Sequence, residues 1–175
     1  MNIDESLLKK SEEEYGENYH AHYLEIYKLY VEMADRISAR RQTANSFFLT
    51  INTAIIALLG YVQFGAYLGE KMGIESSPID EFYWIISTLG MILCVLWYLL
   101  VRSYKELNTA KFIVIQHIEK NLPLAPYEAE WEALGRGHTH RLYKPFTHIE
   151  MWIPWVFFVL NLVNLAAFLK VSLGL

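Results

Sequence analysis

Three stretches without a single Asp, Glu, Lys or Arg constrain this chain more than any other feature. They are residues 42–69, 82–101 and 151–169, and they hold 67 of the 175 positions. A hydrocarbon core about 30 Å thick is crossed by roughly 20 apolar residues in a helix. In lipid, only a helix or a closed barrel satisfies its own backbone. The runs are continuous, not alternating, which selects helix over barrel strand. Such a distribution excludes a soluble globular enzyme and a disordered chain. With a net charge of −4, it also excludes a nucleic-acid binder working through a basic surface.

The sequence therefore predicts an all-α integral membrane protein with three spans, taken as 45–68, 78–102 and 148–171. Residues 46–65 contain ten Leu, Ile, Val or Phe, and 82–101 and 151–169 contain eleven each. At about −0.3 to −0.6 kcal/mol per residue, each span gains on the order of −5 kcal/mol on insertion. Ser77, Pro78 and Asp80 place a cap, a first-turn proline and an early acid before the second span. Thr147 and Glu150 make a capping box for the third, and Pro154 is expected to kink that helix near Glu150. Lys and Arg set orientation. There are six in 1–44, one in the external loop 69–77 and seven in 102–149, and Lys170 follows the last span. The N-terminus is thus expected in the cytoplasm and the C-terminus outside, with a re-entrant third span as the other topology. Met1 to Lys10 is polar, so no signal peptide is expected.

The parts outside the spans read as helical. Residues 1–17 are acidic and are expected to be flexible. Residues 18–44 form an amphipathic cytoplasmic helix, continuous with the first span because no Pro or Gly interrupts it. Tyr19, Tyr23, Ile26, Tyr27, Tyr30, Met33, Ala34 and Ile37 make its apolar, tyrosine-rich face. That face must be buried against 103–121, a second copy or lipid. In the segment 103–147, Leu107, Val114 and Ile118 point one way, with Tyr104, Ala110 and Lys111 beside them. Pro123 stops this helix, Pro126 opens a short acidic one, and Gly135 ends it. A basic, histidine-rich loop follows.

Little of this carries chemistry. His138, His140 and His148 lack the cysteines and spacing of a structural zinc site, so no metal is expected. Arg141 and His148 satisfy the loose Arg-x(4–6)-His spacing of HEPN ribonucleases, which any basic loop with histidines provides; no catalytic residue is assigned. Cys94 is a small packing residue in mid-membrane. Arg36, Arg40 and Arg41 stand where headgroups or an anion would meet the helix, with Asp35 able to pair with one of them. Asn45, Thr50, Asn52 and Thr53 in the first span, and Asn161 and Asn164 in the third, are expected to bond between helices or to line a pore. Ser46, Ala57 and Gly60 extend the small, polar stripe of the first span. No charge lies in mid-membrane, which disfavours a carboxylate proton relay.

In residues 23–60, a tyrosine-bearing helix runs through Met33, Ala34, Asp35, Arg40 and Arg41 into Asn45, Ser46, Phe47, Phe48 and Leu49. This stretch resembles the RipA family of small octameric bacterial cytoplasmic-membrane proteins, and the layout is similar to the SLATT class of membrane effectors. The resemblance implies a homo-oligomeric inner-membrane protein with a ring-like assembly and a cytoplasmic helical layer. It would act as a scaffold, a channel-like assembly or an envelope-stress factor linked to bacterial survival in host cells. The other reading is a pore-forming defence effector gated by a nucleotide or protein. Neither implies an enzyme, a cofactor or a nucleic-acid partner. The partners expected are the bilayer and further copies of the chain. Tyr23, Tyr27, Tyr30, Ala34 and Ile37 are expected to carry the subunit contacts, because so short a chain offers them little else.

Overall fold

A computed structural model describes residues 6–72, 82–137 and 146–172. Among them there is no strand. Helix α1 is Glu12–Tyr15, α2 is Tyr19–Met72, α3 is Tyr83–Glu119, α4 is Pro126–Ala133 and α5 is Phe146–Ser172. A 3₁₀ turn, Gly135–Gly137, follows α4. Helices α2, α3 and α5 are each long and apolar enough to cross a membrane. Helix α2 runs unbroken over 54 residues, because no Pro or Gly lies between Tyr19 and the first span. Helix α5 continues around Pro154, which is buried. It already includes Phe146, so Thr147 lies inside the helix and not at its cap. The loop 69–77 beyond Met72, and the cap at Ser77, Pro78 and Asp80, lie outside the described residues.

Within the described part of the segment before α2, Ser11 caps the short helix α1. The Glu14 N–H donates to Ser11 Oγ at 3.3 Å, and three glutamates occupy the first turn of α1. Acids are favourable there because the helix dipole is positive at its start. Gly16, at φ 89°, ends the turn. Tyr15 then hydrogen-bonds His22 Nδ1 at 2.9 Å, and His20 Nε2 lies 2.8 Å from Glu12.

The chain divides into two compact units. The first, Met1–Arg41 with Ser103–Pro145, holds most of the charged residues and is the polar unit. The second, Gln42–Arg102 with Phe146–Leu175, is the apolar unit. The division at Gln42 falls where the first charge-free run begins.

In the apolar unit, three helices present seams spaced by three and four residues. Buried positions on α3 are Tyr83, Ser87, Gly90, Cys94, Trp97 and Val101. On α2 they are Asn52, Leu59 and Val62, and on α5 Glu150, Pro154 and Asn161. Leu59, Val62 and Tyr83 pack with Ile55, Ile86 and Phe168 at one end. Nearer the other end, Trp97 stacks on Phe48 at 5.9 Å and meets Phe157 at 6.1 Å.

In the polar unit, Ala34 and Ile37 of α2 and Ile115 and Ile118 of α3 are buried. The predicted face of α3 is rotated slightly. Leu107 is exposed and Val114 half-buried, while Ile118 is buried as expected and Ile115 is buried beside it. Helix α3 stops at Glu119, before Pro123. Pro126 sits in the first turn of α4, and Gly135 turns the chain away at φ 67°. Arg136 follows at φ 49°, a left-handed conformation costing about 1 kcal/mol in a non-glycine residue. Its guanidinium donates to Glu128 at 2.7 Å and Glu132 at 2.8 Å.

Candidate functional site

Two polar constellations stand out, one in each unit. In the apolar unit, polar side chains line the helix interfaces. Trp97 Nε1 donates to Asn45 Oδ1 at 2.8 Å. Two turns along α2, Cys94 Sγ donates to Asn52 Oδ1 at 3.1 Å, while Asn52 Nδ2 donates to the Phe48 carbonyl at 2.9 Å. Farther along, Gln63 Nε2 donates to the Tyr83 hydroxyl at 2.6 Å, and that hydroxyl donates to Asn164 Oδ1 at 3.2 Å. Asn164 Nδ2 turns back to the Leu160 carbonyl. Asn45, Asn52 and Asn164 thus join helices. An amide buried in hydrocarbon has no water to fall back on, so it takes a partner on a neighbouring helix.

Asn161 departs from that pattern. It is 0% exposed, and its Nδ2 donates to the Phe157 carbonyl at 2.9 Å. Its Oδ1 has no hydrogen-bond partner. That oxygen lies against Gly90, where an added Cβ would fall 2.5 Å from it. A missing side chain on α3 is what lets α5 approach.

Thr50 and Thr53 do not join the interior. Both are exposed, and Thr50 Oγ1 donates to the Ser46 carbonyl within α2. The small, polar stripe of the first span therefore has two sides. The asparagines face in, and Ser46, Thr50, Thr53, Ala57 and Gly60 face out.

In the polar unit the central group is Glu119, 1% exposed. Helix α4 begins after Ala125, which offers no side-chain cap, and Pro126 has no N–H. The next two donors, Tyr127 N–H and Glu128 N–H, point at the two oxygens of Glu119, each at 3.1 Å. Tyr27 Oη donates to Glu119 Oε1 at 2.9 Å. A buried carboxylate is thereby satisfied by three donors and by the positive end of a helix. Burial, with the neighbouring Glu119 carboxylate, pushes the Tyr27 hydroxyl up to about 12. Burial also raises Tyr127, with the fields of Asp35, Glu130 and Glu119 adding to it.

The same geometry accounts for the tyrosine-rich face. Tyr23 Oη donates to the Ile118 carbonyl at 2.8 Å and accepts from Asn121 Nδ2 at 3.2 Å. Burial raises its ionisation above the usual tyrosine range. Lys111 Nζ sits 4.4 Å from the centre of the Tyr30 ring. Ala34 and Ile37 are buried in the same unit. Tyr23, Tyr27, Tyr30, Ala34 and Ile37 therefore find partners within their own chain. The premise that a chain this short has none for them is corrected for the tyrosines: Ile118, Glu119 and Lys111 of α3 meet Tyr23, Tyr27 and Tyr30.

The arginines are placed less specifically. Arg36 donates to Glu32 at 2.7 Å, so its acid is one turn back on α2 and is not Asp35. Arg40 is exposed and Arg41 half-buried. His138, His140 and Arg141 lie outside the described residues, as does the His148 side chain. Among the described residues, no group of three His, Cys, Asp or Glu is placed to hold a metal.

Glu119 was not singled out by the sequence. Its only signal was indirect: Pro126 opens a helix behind an alanine, so the cap has to come from elsewhere in the chain. Trp97, Tyr83 and Gln63, which complete the asparagine contacts, carry no local signal at all.

The model of the octameric membrane protein family matches residues 24–170. The chain belongs to the octameric membrane protein family. The match takes in α3, α4 and nearly all of α2 and α5, so both units are part of the family pattern. Membership and the three apolar helices make this a multi-pass membrane protein. No curated protein matches the chain, and no solved structure does.

Proposed function

We propose that the chain assembles as a homo-octameric ring in the bacterial inner membrane, with its N-terminus in the cytoplasm. There it acts without catalysis, as a scaffold or channel-like factor in adaptation of the envelope. The observation that carries this reading is the outward stripe of Ser46, Thr50, Thr53, Ala57 and Gly60 on α2. In lipid, small residues let helix backbones approach, and they mark interfaces between helices. Within the protomer this stripe is exposed, and nothing lies within 4 Å of a Cβ added at Gly60. Copies of the chain are the natural neighbours in a family named for eight-fold assembly. Asn45, Asn52, Gln63, Tyr83 and Asn164 are bonded between the helices of one protomer, so any conducting path would run between copies and not through one. The excess of Lys and Arg in 1–44 and 102–149 supports the orientation.

The test is the detergent-corrected mass of the purified protein by light scattering. The reading expects one species of about eight times 20.4 kDa. A monomer or dimer would remove the ring. Conductance of the octamer in planar bilayers then separates a channel-like role from a scaffold.

A further inference from the structure

Among the described residues, the polar unit leaves an apolar stripe of α2 uncovered. Ile26, Leu29 and Met33 of α2 are 53%, 52% and 39% exposed. Their spacing of three and four residues makes them one stripe. It lies roughly a quarter-turn around the helix from the Tyr23, Tyr27, Tyr30 and Ala34 seam, by the 3.6-residue repeat. That seam is filled from within the chain; among the described residues, this stripe is not. Glu25, Lys28, Glu32 and Arg36 share the same stretch of helix, so the hydrocarbon core cannot cover it. A membrane surface is a poor cover too. Lipid-binding helices flank their apolar face with Lys and Arg, whereas the neighbours here include exposed Glu25 and Glu32, which anionic headgroups repel.

We propose that Ile26, Leu29 and Met33 form a subunit interface occupied by a second copy of this chain. The inference rests on the octameric reading above and adds the surface that closes the ring outside the membrane. A ring needs a head-to-tail contact, in which one patch meets a different patch on the neighbour. A stripe next to an already filled seam meets that need, because the seam fixes its orientation without using it. The occupant is apolar, and it meets the stripe in water, where burial of Leu and Ile drives association.

The experiment compares wild type with Ile26→Glu/Leu29→Glu in detergent. Both masses are measured by light scattering, and far-UV circular dichroism reports helix content. Wild type at about eight copies, with a fully helical variant of smaller mass, is the expected result. An octameric wild type and an octameric variant would overturn the stripe while leaving the ring. A wild type that is not oligomeric would overturn the ring itself, and the stripe with it. Should the double variant lose its helicity, benzoylphenylalanine at Leu29 replaces it. Irradiation is expected to give adducts at multiples of the chain mass. An octamer without chain-to-chain adducts, or with adducts to lipid alone, would overturn the proposal.

Discussion

The two units solve opposite problems with the same helices. In the apolar unit the surface is Leu, Ile, Val and Phe, while the interior carries Asn52, Ser87, Asn161 and the Tyr83 hydroxyl. In the polar unit the surface is charged and the interior is Ala34, Ile37, Ile115 and Ile118 around one carboxylate. The surroundings explain the inversion. Lipid tails are as apolar as Leu, so burying Leu gains little there and hydrogen bonds and close packing hold helices together. In water, apolar burial supplies the drive, and a buried charge survives only when fully bonded. An apolar residue left outside thus means little in one unit and a good deal in the other. Leu96 and Leu99 of α3 need only lipid; Ile26 and Leu29 of α2 need a partner.

The sharpest way to break this comparison is at Glu119. Replacing it with Ala leaves Tyr127 N–H, Glu128 N–H and the Tyr27 hydroxyl without their acceptor, a cost of about 3 kcal/mol. Hydrogen exchange should show α4 losing protection while α5 keeps its own. Equal loss in both would mean that the units are not separately held. Glu119→Gln keeps one acceptor oxygen and should cost less.

At Gly90 the prediction concerns packing. The added Cβ of Gly90→Ala meets Asn161 Oδ1, and the displacement should cost about 2 kcal/mol, read as a lower melting temperature in detergent. A neutral substitution would mean that α5 can retreat from α3 freely. Asn52→Ala removes the acceptor of Cys94 and should cost about 0.6–1.5 kcal/mol in the same assay. Asn52→Leu, which restores volume, separates the lost bond from the lost packing.

The smallest effect is at Tyr27. Its hydroxyl ionises at about 12 in the folded chain, against 10.0 for free tyrosine. A raised value means that the folded state prefers the neutral hydroxyl. That contribution is complete below pH 10 and is lost as pH rises through 12. Tyr27→Phe should remove this alkaline loss and cost about 1 kcal/mol at neutral pH through the missing hydrogen bond. An alkaline stability curve identical to wild type would place the lost protons elsewhere.

These cases also show what was legible in the sequence. The three spans could be read because absence of charge over some 20 residues has a single physical use. Asn45 and Asn52 could be read as bonding residues because amides in such runs have few options. Their partners could not: Trp97 and Cys94 lie 52 and 42 residues away, and pairing across that distance is a property of the fold. Periodicity found the tyrosine-rich face but not its cover, since 103–121, a second copy and lipid satisfy the same pattern equally. Arg36 could equally have met Asp35 or Glu32; the helical repeat puts Glu32 one turn away on the same face. Gly90 looked like any small residue in a span until α5 was laid against it.

The account rests most heavily on the closed interior of the apolar unit, and Cys94 reports on it directly. It is 1% exposed and bonded to Asn52 in the middle of that interior. The measurement is labelling of the purified protein with a charged, water-soluble methanethiosulfonate, before and after unfolding in dodecyl sulfate. The account predicts no label on the native protein and complete label on the unfolded one. Rapid labelling of Cys94 in the native complex would contradict it, placing water beside Asn52 and a polar path through each protomer.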